Sequence, residues 1–364
     1  MKISNFLILT LASVSALVAF RTDAFVTYKE ADDPVAVSDR SQAAWKNIGK
    51  LEAVWASADS LYSRSEVPVV ERVEVNHLSG WKGERISAQL LLYTGNGADG
   101  VRCEVKDFRS SSSVMSADIA QARFVRYTIA DRGGMDCRCN RGPEMETILV
   151  PDMIDSLKVF NMDPRTVRPV WVTVNVPQDA EPGVYKSEII VKSKGTSRIS
   201  LPFELEVVDQ VLPDYREWNF HLDLWQHPSA IARALNLELW SDEHFEAIKQ
   251  HMRPLAEAGQ KVITTTLNRD PWGYQCYDDY EHMIIWTLKK DGLWSYDYTI
   301  FDRYVETMME LGVKKQINCY SMIPWNNSLS WYVEDSNAFI SRSCPASSDL
   351  FEKVWGPFLT DFVK

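Results

Sequence analysis

Hydrophobic and polar positions follow two different periods along this chain, and the change falls near Leu212-Pro213. Before it, seven stretches alternate apolar and polar or run β-branched: Val69 to Val75, Arg85 to Tyr93, Val101 to Phe108, Arg123 to Ile129, Pro169 to Val176, Val184 to Lys192 and Arg198 to Val208. Pro, Gly, Asn and Ser punctuate the gaps, and no helical period intervenes, which predicts an antiparallel β-sandwich over residues 25–212. Ser38 to Leu61, with Trp45 and Trp55, is read as a helix or turn segment, and Asp131 to Asp163 as a long irregular loop.

After the change, strand and helix patterns alternate. Strands are predicted at Asn219 to Trp225, Lys261 to Asn268 and Gln316 to Met322, and helices at Asp242 to Ala258, Phe301 to Leu311 and Asp349 to Val363. Ser241 suits the N-cap of the first helix, Asp242 and Glu243 suit its positive end, Gly259 its stop, and Pro254 should bend it. Gly312 suits the stop of the second helix, and Gly356-Pro357 should kink the third. Repeated βα units imply a parallel sheet, so residues 213–364 are expected to form the first three βα units of a (β/α)8 TIM barrel. Closure needs eight units, and the apolar pattern of the last helix runs to Lys364 without a stop signal, so the chain is expected to be a fragment of a longer protein.

The segment Glu217 to Arg233 carries the densest chemistry. Its alternation sets His221, Asp223 and Trp225 on one face and Phe220, Leu222 and Leu224 on the other; in a barrel strand the second face would pack on helices and the first look inward. The other strand ends repeat the theme, with Asn268, Arg269, Asp270 and Trp272 after the second, and Asn318, Tyr320, Trp325, Asn326 and Asn327 on or after the third. Flat rings beside amides and acids suit a sugar, whose C–H face stacks while its hydroxyls hydrogen-bond. Asp223 with Asp270, and Asp278-Asp279, are the carboxylates within reach of such a site, but none has the local context of a general acid.

Composition narrows the function. A formal net charge of −11 without a basic stripe argues against nucleic acid. Residues 1–24 read as a secretory signal peptide: a charged start at Lys2, an apolar run from Phe6 to Phe20 and cleavage after Ala19 or Ala24, which predicts export to the periplasm, cell surface or medium. No other stretch is apolar for long enough to predict an integral membrane segment in the mature chain. The six cysteines do not space as metal ligands: Cys137 and Cys139 form a lone pair, and Cys319 is expected as a buried thiol. No metal and no cofactor are predicted, since no phosphate loop, nucleophile elbow or zinc motif occurs.

Several runs resemble glycoside hydrolase family 123: GKLEAVWASADSLYSRSEVP, SGWKGERISAQLLLYT, RPVWVTVNVPQDAEPGVYKSEIIVKS and, above all, EWNFHLDLWQHPSAIAR, KVITTTLNRDPWGYQCYDDY and GVKKQINCYSMIPWNN. The resemblance covers nearly the whole mature chain. It implies β-N-acetylgalactosaminidase-like chemistry on a glycan with a terminal β-linked N-acetylhexosamine, on an N-terminal β-sandwich followed by a (β/α)8 barrel. It also implies a retaining mechanism in which the substrate's acetamido oxygen is the nucleophile, with an adjacent Asp-Glu pair at the end of the fourth barrel strand. No Asp-Glu dipeptide stands at a predicted strand end here, since Asp242-Glu243 opens a helix, so no catalytic residue is expected in this chain. His221, Asp223, Trp225, Trp272, Tyr320 and Trp325 are expected to contact substrate. The alternative reading is a non-catalytic carbohydrate-binding or interaction protein.

Overall fold

The computed structural model describes residues 30–131, 147–195, 198–273 and 275–364. The expected signal peptide and Cys137-Cys139 lie outside them. The chain forms two compact units that divide between Leu212 and Pro213.

The first unit is built of β-strands around a main core, with a smaller buried cluster of Trp45, Val54, Leu91, Tyr93 and Val167. A short helix, α1 (Asp39–Trp45), precedes β1 (Glu52–Ala56), β2 (Asn76–Lys82), β3 (Arg85–Thr94), β4 (Ala98–Val105), β5 (Phe108–Arg109), β6 (Val114–Met115), β7 (Ala120–Asp131), β8 (Thr147–Ile154), β9 (Phe160–Met162), β10 (Thr166–Asn175), β11 (Gly183–Lys192) and β12 (Ile199–Val211). One sheet runs β1-β3-β10-β7-β8, and the other β2-β12-β11-β4-β9 with β5 and β6 attached at β11. Pairing is antiparallel except between β2 and β12. Leu90, Leu92, Val170 and Val172 from the first sheet meet Tyr185, Ile189, Phe203 and Leu205 from the second in the main core, the arrangement of a sandwich. Period-2 alternation is what lets each strand bury one such face.

Three sequence expectations change in this unit. Val69 to Val75 forms no strand, and Val69 and Val73 are exposed. Its β-branched residues follow the local propensity, but no neighbouring strand pairs with them. The Ser38 to Leu61 segment contains β1 as well as α1, because Glu52–Ala56 pairs with Gln89–Tyr93. The stretch read as a loop contains β8 and β9, each held on a partner strand.

The second unit contains α2 (Pro228–Leu235), α3 (Asp242–Glu257), β13 (Val262–Thr266), β14 (Ile285–Leu288), β15 (Trp294–Asp297), α4 (Thr299–Glu310), β16 (Gln316–Tyr320), β17 (Ser328–Val333), β18 (Ala338–Ser343) and α5 (Asp349–Phe362). Ser241 Oγ caps α3 by accepting from His244 N at 3.2 Å, and the chain leaves that helix through Gly259 at φ +93°. Pro254 lies within α3 and Pro357 within α5, and neither proline ends its helix. Strands β13 and β16 pair in parallel across α4. The helix faces, Phe245, Ile248 and Met252 of α3 and Tyr304, Val305 and Met308 of α4, close on Ile263 of β13.

The sequence reading missed a four-stranded sheet, β15-β14-β17-β18. Its two hairpins come from the segments that follow β13 and β16, and β14 joins β17 in parallel. Helix α5 packs here: Trp286 of β14 stacks on Phe358 at 4.2 Å and meets Trp355 edge-on at 4.9 Å. Trp45, Trp55, Trp286, Trp331 and Trp355 are thus core residues, which removes them from any sugar-stacking role.

Residues 219–225 do not form the regular strand expected. A single parallel bridge joins Leu222 to Gln260, while Phe220 and Leu224, assigned to the helix-packed face, are 70% and 41% exposed. Side-chain amides take the place of the ladder. Gln260 accepts from Leu224 N at 2.8 Å and donates to Leu224 O at 3.1 Å, while Gln226 accepts from Thr264 N at 2.7 Å. Cys319 is likewise exposed rather than buried. Its register partner Thr265 is buried, as is Ile263 opposite the exposed Ile317, so this face is covered over β13 and left open over β16.

Candidate functional site

The second unit gathers its aromatic groups where the segment after Leu222, the end of β13 and the end of β16 meet. Trp272 is 6% exposed and forms the base of the cluster. Trp225 lies 5.3 Å from it, ring centre to ring centre, Tyr320 lies 4.9 Å from it, and Trp225 and Tyr320 are 5.5 Å apart. On its other side Trp272 meets Tyr280 at 4.3 Å, and Tyr280 stacks on His227 at 3.6 Å. Trp225 keeps 55% of its surface open, so the cluster presents an accessible ring on a buried base. The peptide bond between Tyr320 and Ser321 is cis.

The turn that carries Trp272 is fixed by backbone bonds. Asp270, with φ +46°, donates its N–H to Tyr280 O at 2.7 Å, and Gly273 N closes back on Asp270 O at 3.1 Å. Asn268 just before it is fully buried; its Nδ2 donates to Ser330 O and its Oδ1 accepts from Ser330 N, both at 2.8 Å. Asn268 therefore ties the end of β13 to β17 through both ends of its amide.

Polar groups flank the rings. Asp223 Oδ2 accepts from Asn318 Nδ2 at 3.1 Å, whereas its Oδ1 is buried with no hydrogen-bond partner among the described protein groups. Burial, and then the charge of Asp223, push the Tyr320 phenol above its ordinary range. Burial likewise pushes the Tyr280 phenol up to about 12. His227 has its pKa lowered by burial, against the opposing pull of Asp278. As a neutral ring it donates Nε2–H to Asp278 O at 2.8 Å, and its buried Nδ1 is left as an acceptor.

The six expected contact residues divide. Trp225, Trp272, Tyr320 and Asp223 come together; His221 is exposed and joins none of these contacts, and Trp325 is 68% exposed with its ring outside the cluster. Asp278 and Asp279 are engaged by Arg233 at 2.5 Å and Arg269 at 2.7 Å. Sequence reasoning missed Tyr280 and Thr264. Tyr280 sits in a loop without a period, and Thr264 sits mid-strand where threonine is unremarked. No group of three metal-ligating side chains occurs among the described residues.

Residues 55–193 match the family model described as glycoside hydrolase 123 N-terminal domain, and residues 225–364 match that of the glycoside hydrolase 123 catalytic domain. The chain belongs to glycoside hydrolase family 123. A solved family 123 glycoside hydrolase from Clostridium perfringens, studied for glycolipid glycan hydrolysis, superposes with a TM-score of 0.79 at 24% identity. The match covers 86% of this chain and 55% of that one, so this chain spans about half the length of its solved relative. The PapD-like domain 7 of human CEP192 matches at TM-score 0.23 and 10% identity over 51% of this chain and 96% of its own, too low to carry an argument. No curated protein matches the chain.

Proposed function

We propose that this chain is the front part of an exported glycoside hydrolase that removes terminal β-linked N-acetylhexosamine with retention, assisted by the substrate's own acetamido group. The observation that carries the reading is the Trp225, Trp272 and Tyr320 cluster with Asp223 beside it: a stacking surface for the C–H face of a sugar next to a carboxylate that can accept from its hydroxyls. In this reading the bridged 219–225 segment, β13 and β16 are the first three strands of a (β/α)8 barrel. The open β16 face, with Ile317 and Cys319 exposed, supports further units packing there. The Asp-Glu pair that would orient the acetamido group and move the proton then belongs to sequence beyond Lys364. Asp242-Glu243, the adjacent pair present, opens α3 and lines no part of the aromatic cluster. The apolar run before residue 25 supports export, and no described helix is long and apolar enough to cross a membrane.

Among the described residues no Asp-Glu pair stands at a strand end, which would also suit the alternative of a sugar-binding protein without turnover, and one experiment separates the two. An aryl N-acetyl-β-galactosaminide is offered to the polypeptide as encoded by its whole reading frame and to the 364-residue chain. The hydrolase reading expects turnover by the first and none by the second. Sugar binding without turnover by either leaves the binding reading, and turnover by the 364-residue chain refutes the placement of the catalytic pair beyond it.

A further inference from the structure

Thr264, Thr265 and Thr266 follow one another in β13, and all three are buried. Thr265 Oγ1 donates to Asn318 O at 3.1 Å and Thr266 Oγ1 to Glu281 O at 2.9 Å. Thr264 Oγ1 has no partner among the described protein groups. A hydroxyl buried without a partner carries a desolvation cost that valine at the same place would not.

Asp223 Oδ1 is another such atom in this region, besides His227 Nδ1. The threonine and the aspartate converge on Asn318. Thr264 is the register partner of Asn318 in the parallel pair, so the two side chains stand on one face of the sheet. Asp223 is bonded to the Asn318 amide, which is itself oriented by Gln316 Nε2 donating to Asn318 Oδ1 at 2.6 Å. Two residues further along β16 the same face carries Tyr320, and through Tyr320 the ring cluster. A carboxylate oxygen that only accepts thus shares its neighbour with a hydroxyl that can donate, under an aromatic surface.

We propose that Asp223 Oδ1 and Thr264 Oγ1 are the polar floor of the sugar site and hold one ring hydroxyl between them, the carboxylate accepting its hydrogen and the threonine donating to its oxygen. The chemistry fits a neutral C–OH group: a ligand anion would meet the charge of Asp223, and a C–H would leave both atoms unpaired. This inference rests on the carbohydrate reading and adds Thr264 to it as a residue that selects among sugars. Recognition of this kind discriminates strongly, because an analogue lacking the hydroxyl leaves buried polar groups unsatisfied.

The test is isothermal titration calorimetry of the polypeptide as encoded with N-acetylgalactosamine and its monodeoxy analogues, on the wild type, Thr264→Val and Asp223→Asn. Thr264→Val is expected to weaken binding of the parent sugar about tenfold, the size of one net hydrogen bond. It should leave unchanged the binding of one deoxy analogue, the one lacking the hydroxyl in question. Its melting temperature without ligand should equal or exceed the wild type's, since an unpaired buried hydroxyl has been removed. Wild-type binding with both variants indistinguishable from it on every sugar overturns the floor and leaves the carbohydrate reading standing. A clear fall in the melting temperature of Thr264→Val also overturns it, because the hydroxyl then has a structural partner. Failure of the wild type to bind any of these sugars overturns the carbohydrate reading and this inference with it.

Discussion

Replacing Asn268 by leucine should destabilise the second unit while leaving its exposed surface unchanged. The asparagine is 1% exposed, and its two 2.8 Å bonds satisfy both backbone groups of Ser330. Leucine fills a similar volume and can make neither bond, so the Ser330 N–H and C=O are left buried and unpaired. Each such group costs about 1–3 kcal/mol. Better burial of the apolar side chain offsets part of this, so a net loss of about 2–4 kcal/mol is expected. That is a large share of the 5–15 kcal/mol typical of a folded domain, as an order of magnitude. Urea unfolding followed by tryptophan fluorescence reads it directly, since Trp286, Trp331 and Trp355 are all in this unit's core. With m of about 2 kcal/mol/M, as an order of magnitude, the midpoint should fall by about 1–2 M at unchanged m. A shift below about 0.3 M would refute the reasoning, as it would mean that the strand end is held without the amide.

In the first unit, Glu30→Ala should cost about 3–5 kcal/mol, because it strands a buried guanidinium. Arg168 donates to the two Glu30 oxygens at 2.6 and 2.7 Å, and both side chains are nearly buried. Burial raises the Glu30 pKa, but the Arg168 bonds and charge outweigh it and hold it below the ordinary value. The pair's contribution is therefore present above the unfolded carboxylate range and fades as pH falls through the folded pKa; a thermal melt at neutral pH checks the variant. His282 works in the same direction at higher pH. Burial, with the nearby Arg269 charge, lowers its pKa from 6.5 to about 4. The unfolded chain then binds the extra proton, so about 3 kcal/mol of stability present above pH 6.5 is lost as pH falls toward 4. His282→Phe should flatten the stability profile across that window, and an unchanged slope in urea titrations at pH 4.5 and 7 would count against a neutral buried ring.

Local signals proved legible where a residue acts within its own segment. Ser241 caps α3 because its hydroxyl needs only the N–H three residues on, and Gly259 stops that helix because its backbone tolerates a positive φ. Strands β3, β10, β11 and β12 were readable because alternation over many residues specifies one buried face. The four-stranded sheet was not readable: its strands are four to six residues long, and β14 finds β17 more than 40 positions away. Of the candidate site, the rings at 225, 272 and 320 could be proposed from their repetition at strand ends. That Trp325 and His221 stand outside the cluster depends on loop paths that composition does not encode.

What the sequence by itself determined is the change of period near Leu212, the helix caps and stops, and the supply of aromatic and acidic groups at three strand ends. These follow from backbone sterics and from side chains reaching neighbours within one turn or one pleat. The tertiary structure alone decided how those groups are used. Asn268 and Asp223 are both polar residues at expected strand ends, yet one is spent on the Ser330 backbone while the other keeps an oxygen without a partner among the described protein groups. Thr264, Thr265 and Thr266 are indistinguishable in sequence, and only the first lacks a partner for its hydroxyl among the described protein groups. The physical reason is that hydrogen-bond satisfaction is a property of what lies across the sheet, and the strand's own sequence does not contain it.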